Sequence, residues 1–199
     1  MKTERIYRFI YALLFPLVHL LFPMRFFHRE RLPDGPMVLC APHSSMLDPI
    51  FLMMLLGIRR IPRFIAKQEL TKIPVVGAIL RGMGIIPIDR EHADTGAIRT
   101  ALKVLKSGGI VGIFPEGTRM QEDVENSAKS GAVMLASRTA APLVPVWLPR
   151  KKRLFHRIEI VVGDPYTLPV LRGSGEYRSY ADDLMRRIGL LKRESTSCT

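Results

Sequence analysis

The hydrophobic rhythm of the chain changes near residue 35. Before that point, residues 9–22 read FIYALLFPLVHLLF, with no formal charge unless His19 protonates. As a single helix this run measures about 21 Å at 1.5 Å per residue. That is short of the roughly 30 Å of a bilayer core, and Pro16 and Pro23 interrupt the run. Beyond residue 35, short apolar runs at 37–41, 64–66, 85–88, 110–114, 143–147 and 158–162 read as buried strands. Helical patterns lie between several of them. The clearest follows Asp94, a good N-cap: Ile98, Ala101, Leu102 and Leu105 recur at helical spacing, Arg99, Lys103 and Lys106 lie between them, and Gly108 ends the helix. A second runs from 126 or 127 to 138, with Val133, Met134 and Ala136 on its apolar side. A third spans 176–191, where Tyr177, Tyr180, Leu184, Ile188 and Leu191 share a face. Strands alternating with helices predict an α/β fold with a mostly parallel sheet covered by helices on both faces. The expected division is an N-terminal apolar and basic, membrane-associated helical segment over 1–34, followed by a single α/β domain over 35–199.

A length of 199 residues suits one domain, and a hydrophobic share of 47% excludes disordered and collagen-like chains. The net charge of +12 attracts polyanions: nucleic acid, an anionic membrane or phosphorylated substrates. The first thirty residues favour the membrane over nucleic acid. Lys2, Arg5 and Arg8 precede the greasy run, and Arg25, His28, Arg29 and Arg31 follow it. No small-residue cleavage site is present; Pro23, Met24 and Arg25 stand there instead. A segment basic at both ends and apolar between suits a helix lying in the interface. A core helix and a single span stay open as alternatives. Arg150, Lys151, Lys152 and Arg153, followed by Leu154 and Phe155, read either as a second contact of the same kind or as an exposed basic loop. The cysteines, Cys40 in an apolar run and Cys198 in the polar tail, make neither a disulfide framework nor a zinc site, and point to a reducing cytosolic setting.

Three segments carry candidate chemistry. After the first strand of the α/β domain comes Ala41-Pro42-His43-Ser44-Ser45-Met46-Leu47-Asp48-Pro49. Imidazole takes a proton near neutral pH, and a carboxylate on its other nitrogen fixes the tautomer. On one helix, residues five apart point about 140° away from each other. The His43–Asp48 pairing therefore requires His43 in the loop ahead of a helix; a capping Asp beside an unrelated His is the alternative. The second segment is Phe114-Pro115-Glu116-Gly117-Thr118-Arg119. It turns at Gly117 and presents a guanidinium fork suited to phosphate, with Glu116 placed to orient Arg119; a surface ion pair is the bland reading. The third runs from Lys67 to Arg90. Both cations follow strands and so fall at strand carboxyl ends, where α/β sites collect, unless they are solvated surface residues.

Together these segments resemble the glycerolipid acyltransferase family, which includes the lysophosphatidic acid acyltransferases. The resemblance rests on the His43–Asp48 block, the Lys67–Arg90 block, the FPEGTR block at 114–119 and Val144-Pro145-Val146, in that order, with Lys129-Ser130-Gly131 like the family's Lys-x-Gly segment. Pro42 stands where many members have Asn. The resemblance implies that residues 35–199 form an acyltransferase domain that moves an acyl group from acyl-CoA or acyl-carrier protein to the sn-2 hydroxyl of 1-acylglycerol 3-phosphate, giving phosphatidic acid. His43 would be the base and Asp48 its holder. Arg119, Glu116, Gly117 and Thr118, with Arg90 or Lys67, would bind the acceptor phosphate. No cofactor, no metal and no nucleic-acid partner is expected. The expected partners are lysophosphatidic acid, the acyl donor and an anionic membrane surface, at the cytoplasmic face of the cell membrane. No G-x-S-x-G elbow occurs, so no acyl-enzyme is expected. The rival readings are another acceptor such as glycerol 3-phosphate, thioester hydrolysis, and a non-catalytic basic membrane binder.

Overall fold

A computed structural model of the chain describes residues 2–89, 94–115, 128–171 and 174–197. The strands are β1 (Met24–Phe27), β2 (Met37–Cys40), β3 (Pro62–Lys67), β4 (Ile86–Ile88), β5 (Ile110–Ile113), β6 (Leu143–Trp147) and β7 (Ile158–Val162). The helices are α1 (Lys2–Leu21), α2 (Asp48–Leu56), α3 (Pro74–Gly82), α4 (Thr95–Lys106), α5 (Ala128–Thr139) and α6 (Ser174–Ser197). The strands form one sheet in the order β1-β7-β6-β2-β5-β3-β4. Every neighbouring pair is parallel except β6 and β7, which run antiparallel. The mostly parallel sheet expected from the alternating pattern is thus present, with one reversal near the β1 edge.

Successive strand residues point to opposite faces, and both faces are greasy. On β2, Met37 and Leu39 join a core with Leu52, Met53, Phe64, Val144, Val146 and the inner side of α1. Val38 and Cys40 turn the other way, toward Ala101 and Leu105 of α4, Val133 and Leu135 of α5, and Leu184 and Ile188 of α6. Helices therefore cover both faces. Asp94 caps α4 as its position suggested: its Oδ1 accepts the Ala97 N–H at 2.9 Å. Gly108, at φ +84°, lets the chain leave α4 through the left-handed region.

The N-terminal segment is tied more closely to this body than its composition suggests. Residues 24–27, in the stretch read as a membrane-associated segment, form β1 and pair with β7 in register from Met24↔Ile158 to Phe27↔Val161. α1 continues through Pro16, where an interruption was expected, and stops two residues before Pro23. Tyr7, Tyr11, Val18 and Phe22 lie buried in the core on this side, where Phe22 meets Phe51 of α2 edge to face. Val18 and Phe22 contribute roughly 1.5–3 kcal/mol each by leaving water. The Tyr7 hydroxyl donates to the Gly57 carbonyl at 3.3 Å, pinning α1 to the end of α2. The opposite side of α1 exposes Phe9, Leu13, Leu17 and Leu20. Among the described residues no helix is long and apolar enough to cross a membrane.

Candidate active site

The central strands β6, β2 and β5 are parallel neighbours, so their carboxyl ends open to the same side of the sheet. The chain leaves β2 at Cys40 and forms a short loop before α2 begins at Asp48 with Pro49 behind it. The Ser45 hydroxyl accepts the Leu47 N–H at 3.2 Å, which tightens the turn into the helix. His43 therefore sits in the loop and Asp48 in the first helical turn, and the five-residue separation closes as the pairing requires. His43 Nδ1 lies 3.1 Å from Asp48 Oδ2. The same oxygen accepts the backbone N–H groups of Ser44 at 2.6 Å and Ser45 at 2.7 Å.

Asp48 is fully buried. Its other oxygen, Oδ1, forms an ion pair with the Lys152 ammonium. Burial opposes ionisation of this carboxyl, but the bonds from His43, Lys152 and the Ser45 and Ser44 amides outweigh it and hold the carboxyl below the ordinary aspartate range. The positive end of α2 acts in the same direction. An ionised Asp48 accepts a proton-bearing Nδ1 from His43, which leaves Nε2 as the basic nitrogen of the neutral ring.

The imidazole is held by its faces as well as by its nitrogen. Its ring centroid lies 4.3 Å from that of Phe114, which follows β5, with the planes 24° apart. Phe114 in turn stacks on Phe64 of β3 at 5.9 Å and 12°. Phe64 is paired in register with Gly112. A Cβ on Gly112 would lie 2.4 Å from the Phe64 ring, so glycine opens the space that the ring occupies. Base, carboxylate and aromatic stack thus come from the ends of β2 and β5, the body of β3 and the start of α2.

The other expected site residues fare differently. Lys67 ends β3, and β5 separates β3 from β2. Its ammonium is 3.5 Å from Glu69, with a side chain 45% exposed. That is a surface ion pair, with no bond to His43 or Asp48. Arg90, Glu116, Gly117, Thr118 and Arg119 lie outside the described residues, as does Cys198. Cys40 is fully buried, and burial pushes its thiol pKa well above the ordinary value, so it is no ready nucleophile. Among the described residues no cluster of three or more His, Cys, Asp or Glu side chains is placed to hold a metal. Lys152 was missed as a site residue. It stands in a run of four cations whose pattern gives no sign of which member turns inward, and only its contact with Asp48 singles it out.

Known proteins resemble this chain in sequence and in fold. The family model described as Acyltransferase matches residues 24–149, from β1 to beyond β6. A 1-acyl-sn-glycerol-3-phosphate acyltransferase of Bacillus subtilis (strain 168) is 36% identical over 151 residues, which is 71% of this chain and 73% of that protein. A chloroplastic protein of the same name from Brassica napus is 34% identical over 123 residues, covering 60% of this chain and 35% of its own length. The crystal structure of the 1-acyl-sn-glycerophosphate (LPA) acyltransferase from Thermotoga maritima matches with a TM-score of 0.64 at 25% identity, over 97% of this chain and 78% of that one. The matched segment contains the His43–Asp48 pair, the aromatic stack behind it and the strands that carry both, and the chain belongs to the acyltransferase family.

Proposed function

We propose that the protein transfers a fatty acyl group from acyl-CoA or acyl-carrier protein to the sn-2 hydroxyl of 1-acylglycerol 3-phosphate, releasing phosphatidic acid and a free thiol. The observation that carries this reading is the buried Asp48 hydrogen-bonded to His43 within the segment that matches the family. His43 Nε2 takes the proton of the acceptor hydroxyl. The oxygen attacks the thioester carbonyl, and the tetrahedral adduct collapses to an ester. The departing thiolate takes the proton back from the imidazolium, so charge and protons balance and no side chain is acylated. By the family resemblance the acceptor phosphate is assigned to Arg119 with Glu116, Gly117 and Thr118, together with Arg90 or Lys67.

The acceptor lies in a bilayer, and the exposed face of α1 fits that setting. Phe9 is 71% exposed and Leu20 69% exposed, on a helix whose first turns include Lys2, Arg5 and Arg8 and which Arg25 follows. Such a helix lies along an anionic interface, at the cytoplasmic face of the cell membrane, with its apolar side among the lipids.

A matrix of acceptors and donors tests the reaction. Lysophosphatidate, glycerol 3-phosphate and neutral lysolipids are crossed with CoA and carrier-protein thioesters, and products are identified by mass. The expected result is phosphatidic acid from lysophosphatidate, formed about 10²–10⁴-fold more slowly with His43→Ala. Acylated glycerol 3-phosphate with untouched lysophosphatidate would reassign the acceptor. Thiol release without acceptor would make the protein a hydrolase.

A further inference from the structure

Lys152 differs from its neighbours. Arg150, Lys151 and Arg153 are exposed, whereas the Lys152 side chain is 4% exposed. Its Nζ faces Asp48 Oδ1 and also donates to the Ser44 hydroxyl at 2.6 Å. That hydroxyl donates onward to the Arg150 carbonyl at 3.1 Å. The segment after β6 is therefore latched to the loop after β2 at two points, and one latch lies on the carboxylate that holds His43. An ammonium withdrawn from water is costly unless it is paired. Exposed cations on both sides would have served a merely solvated loop equally well.

We infer that Lys152 is a positioning residue for the acyl transfer: its charge occupies Asp48 Oδ1 and so commits Oδ2 to His43 Nδ1. The inference rests on the reading of His43 as the base. A carboxylate with one oxygen taken by a fixed cation has one way to face the ring. Without that cation it can turn, and His43 loses its orientation. The charge acts a second way. Among the described residues, the ionisable groups facing Asp48 are His43 and Lys152, joined by the Ser44 and Ser45 amides. A cation there favours the ionised carboxylate. Removing it lets the carboxylate take up a proton at higher pH, so the acid limb of kcat/KM moves to higher pH.

The experiment compares Lys152→Met, Lys152→Arg, Asp48→Asn and the Asp48→Asn/Lys152→Met double variant in the full chain, on detergent-dispersed lysophosphatidate. Lys152→Met should lower kcat about 10–100-fold, part of what a positioned base contributes, with the acceptor KM little changed. Its acid limb should move to higher pH. Lys152→Arg should keep the limb in place and recover part of the rate. In the Asp48→Asn background, Lys152→Met should cost almost nothing further, because the group it acts through is gone. An unmoved acid limb in Lys152→Met, or an undiminished loss in the Asp48→Asn background, overturns the inference. A selective rise in acceptor KM would also overturn it and would make Lys152 a substrate-binding group. Should the Met variant fail to fold, Lys152→Gln, which keeps a donor without the charge, carries the same comparison. His43→Ala separates the two layers. If it retains activity, the base assignment itself falls; if it is inactive while Lys152→Met behaves as wild type, only the role of Lys152 falls.

Discussion

At the scale of single residues, the Asp48 carboxylate at the start of α2 gathers four partners, three from the loop ahead of it and one from a distant segment. His43→Ala should lower the transfer rate by about 10²–10⁴-fold, the usual contribution of a positioned base. Asp48→Asn should cut it severely while leaving the fold measurable, through a misoriented ring. The same substitution has a stability signature. The folded-state pKa of Asp48 is depressed, so its contribution is present above the unfolded value near 3.9 and is lost as pH falls through the folded value. Thermal melts should therefore show Asp48→Asn well below wild type at pH 7, with the gap narrowing toward pH 3. A constant gap would mean that the carboxylate charge contributes nothing. Cys40→Ala should keep the rate within about threefold, since the thiol is sealed in the core and its loss leaves only a small cavity. Acylated Cys40 recovered by mass spectrometry during turnover would contradict the direct-transfer mechanism. The His43–Asp48 pairing was legible in the sequence because spacing and loop context allowed one geometry for it. Lys152 was not, because nothing local distinguishes one cation from the next in Arg150-Lys151-Lys152-Arg153.

Elements carry the site by their packing. The Gly112–Phe64–Phe114–His43 line runs across β5 and β3 into the base. Gly112→Val would place side-chain atoms where the Phe64 ring lies, and overpacking of this kind costs about 1–3 kcal/mol. The expected result is a lower melting temperature together with a kcat loss larger than the fraction unfolded explains. A rate that simply tracks the folded fraction would show that the stack does not constrain the base. Asp94→Ala, which removes the cap of α4, should lower the melting temperature by a few degrees. These elements also show what the pattern revealed and what it hid. α4 and the runs at 143–147 and 158–162 were readable because period and punctuation agreed. α2 was not read along its length, since Phe51 to Leu56 are all buried and a helix greasy on every side has no polar stripe to reveal its period. β1 is four residues long with Arg25 inside it, too short to alternate, and became recognisable only through its partner β7.

At the scale of the molecule, α1 joins two environments. Its inner side belongs to the core, so removing residues 1–30 would strip buried side chains and an edge strand, and would confuse unfolding with release from lipid. Substitution of the outer face is the cleaner test: Phe9→Gln, Leu13→Gln and Leu20→Gln together should abolish flotation with anionic liposomes and leave activity on detergent-dispersed acceptor. Flotation equal to wild type would dismiss α1 as the anchor. A second apolar point lies beside it. Phe155 is 68% exposed with φ +62°, a conformation that bulky residues rarely adopt, and its N–H donates to the Leu21 carbonyl at 2.6 Å. Leu154→Ser with Phe155→Ser in the otherwise unaltered chain should weaken flotation, and high salt should weaken it only in part, because apolar contacts are not screened. The β1–β7 pairing also governs the order of events on the ribosome. β1 leaves the exit tunnel early, yet its hydrogen-bonding partner begins at Ile158. At about 5–20 residues per second the intervening stretch takes roughly 7–30 s to make. Throughout that interval the nascent chain carries an unpaired strand behind a helix whose outer apolar face is uncovered. Chains stalled before β7 should therefore be captured by lipid or by chaperones, and the sheet is completed late at its β1 edge.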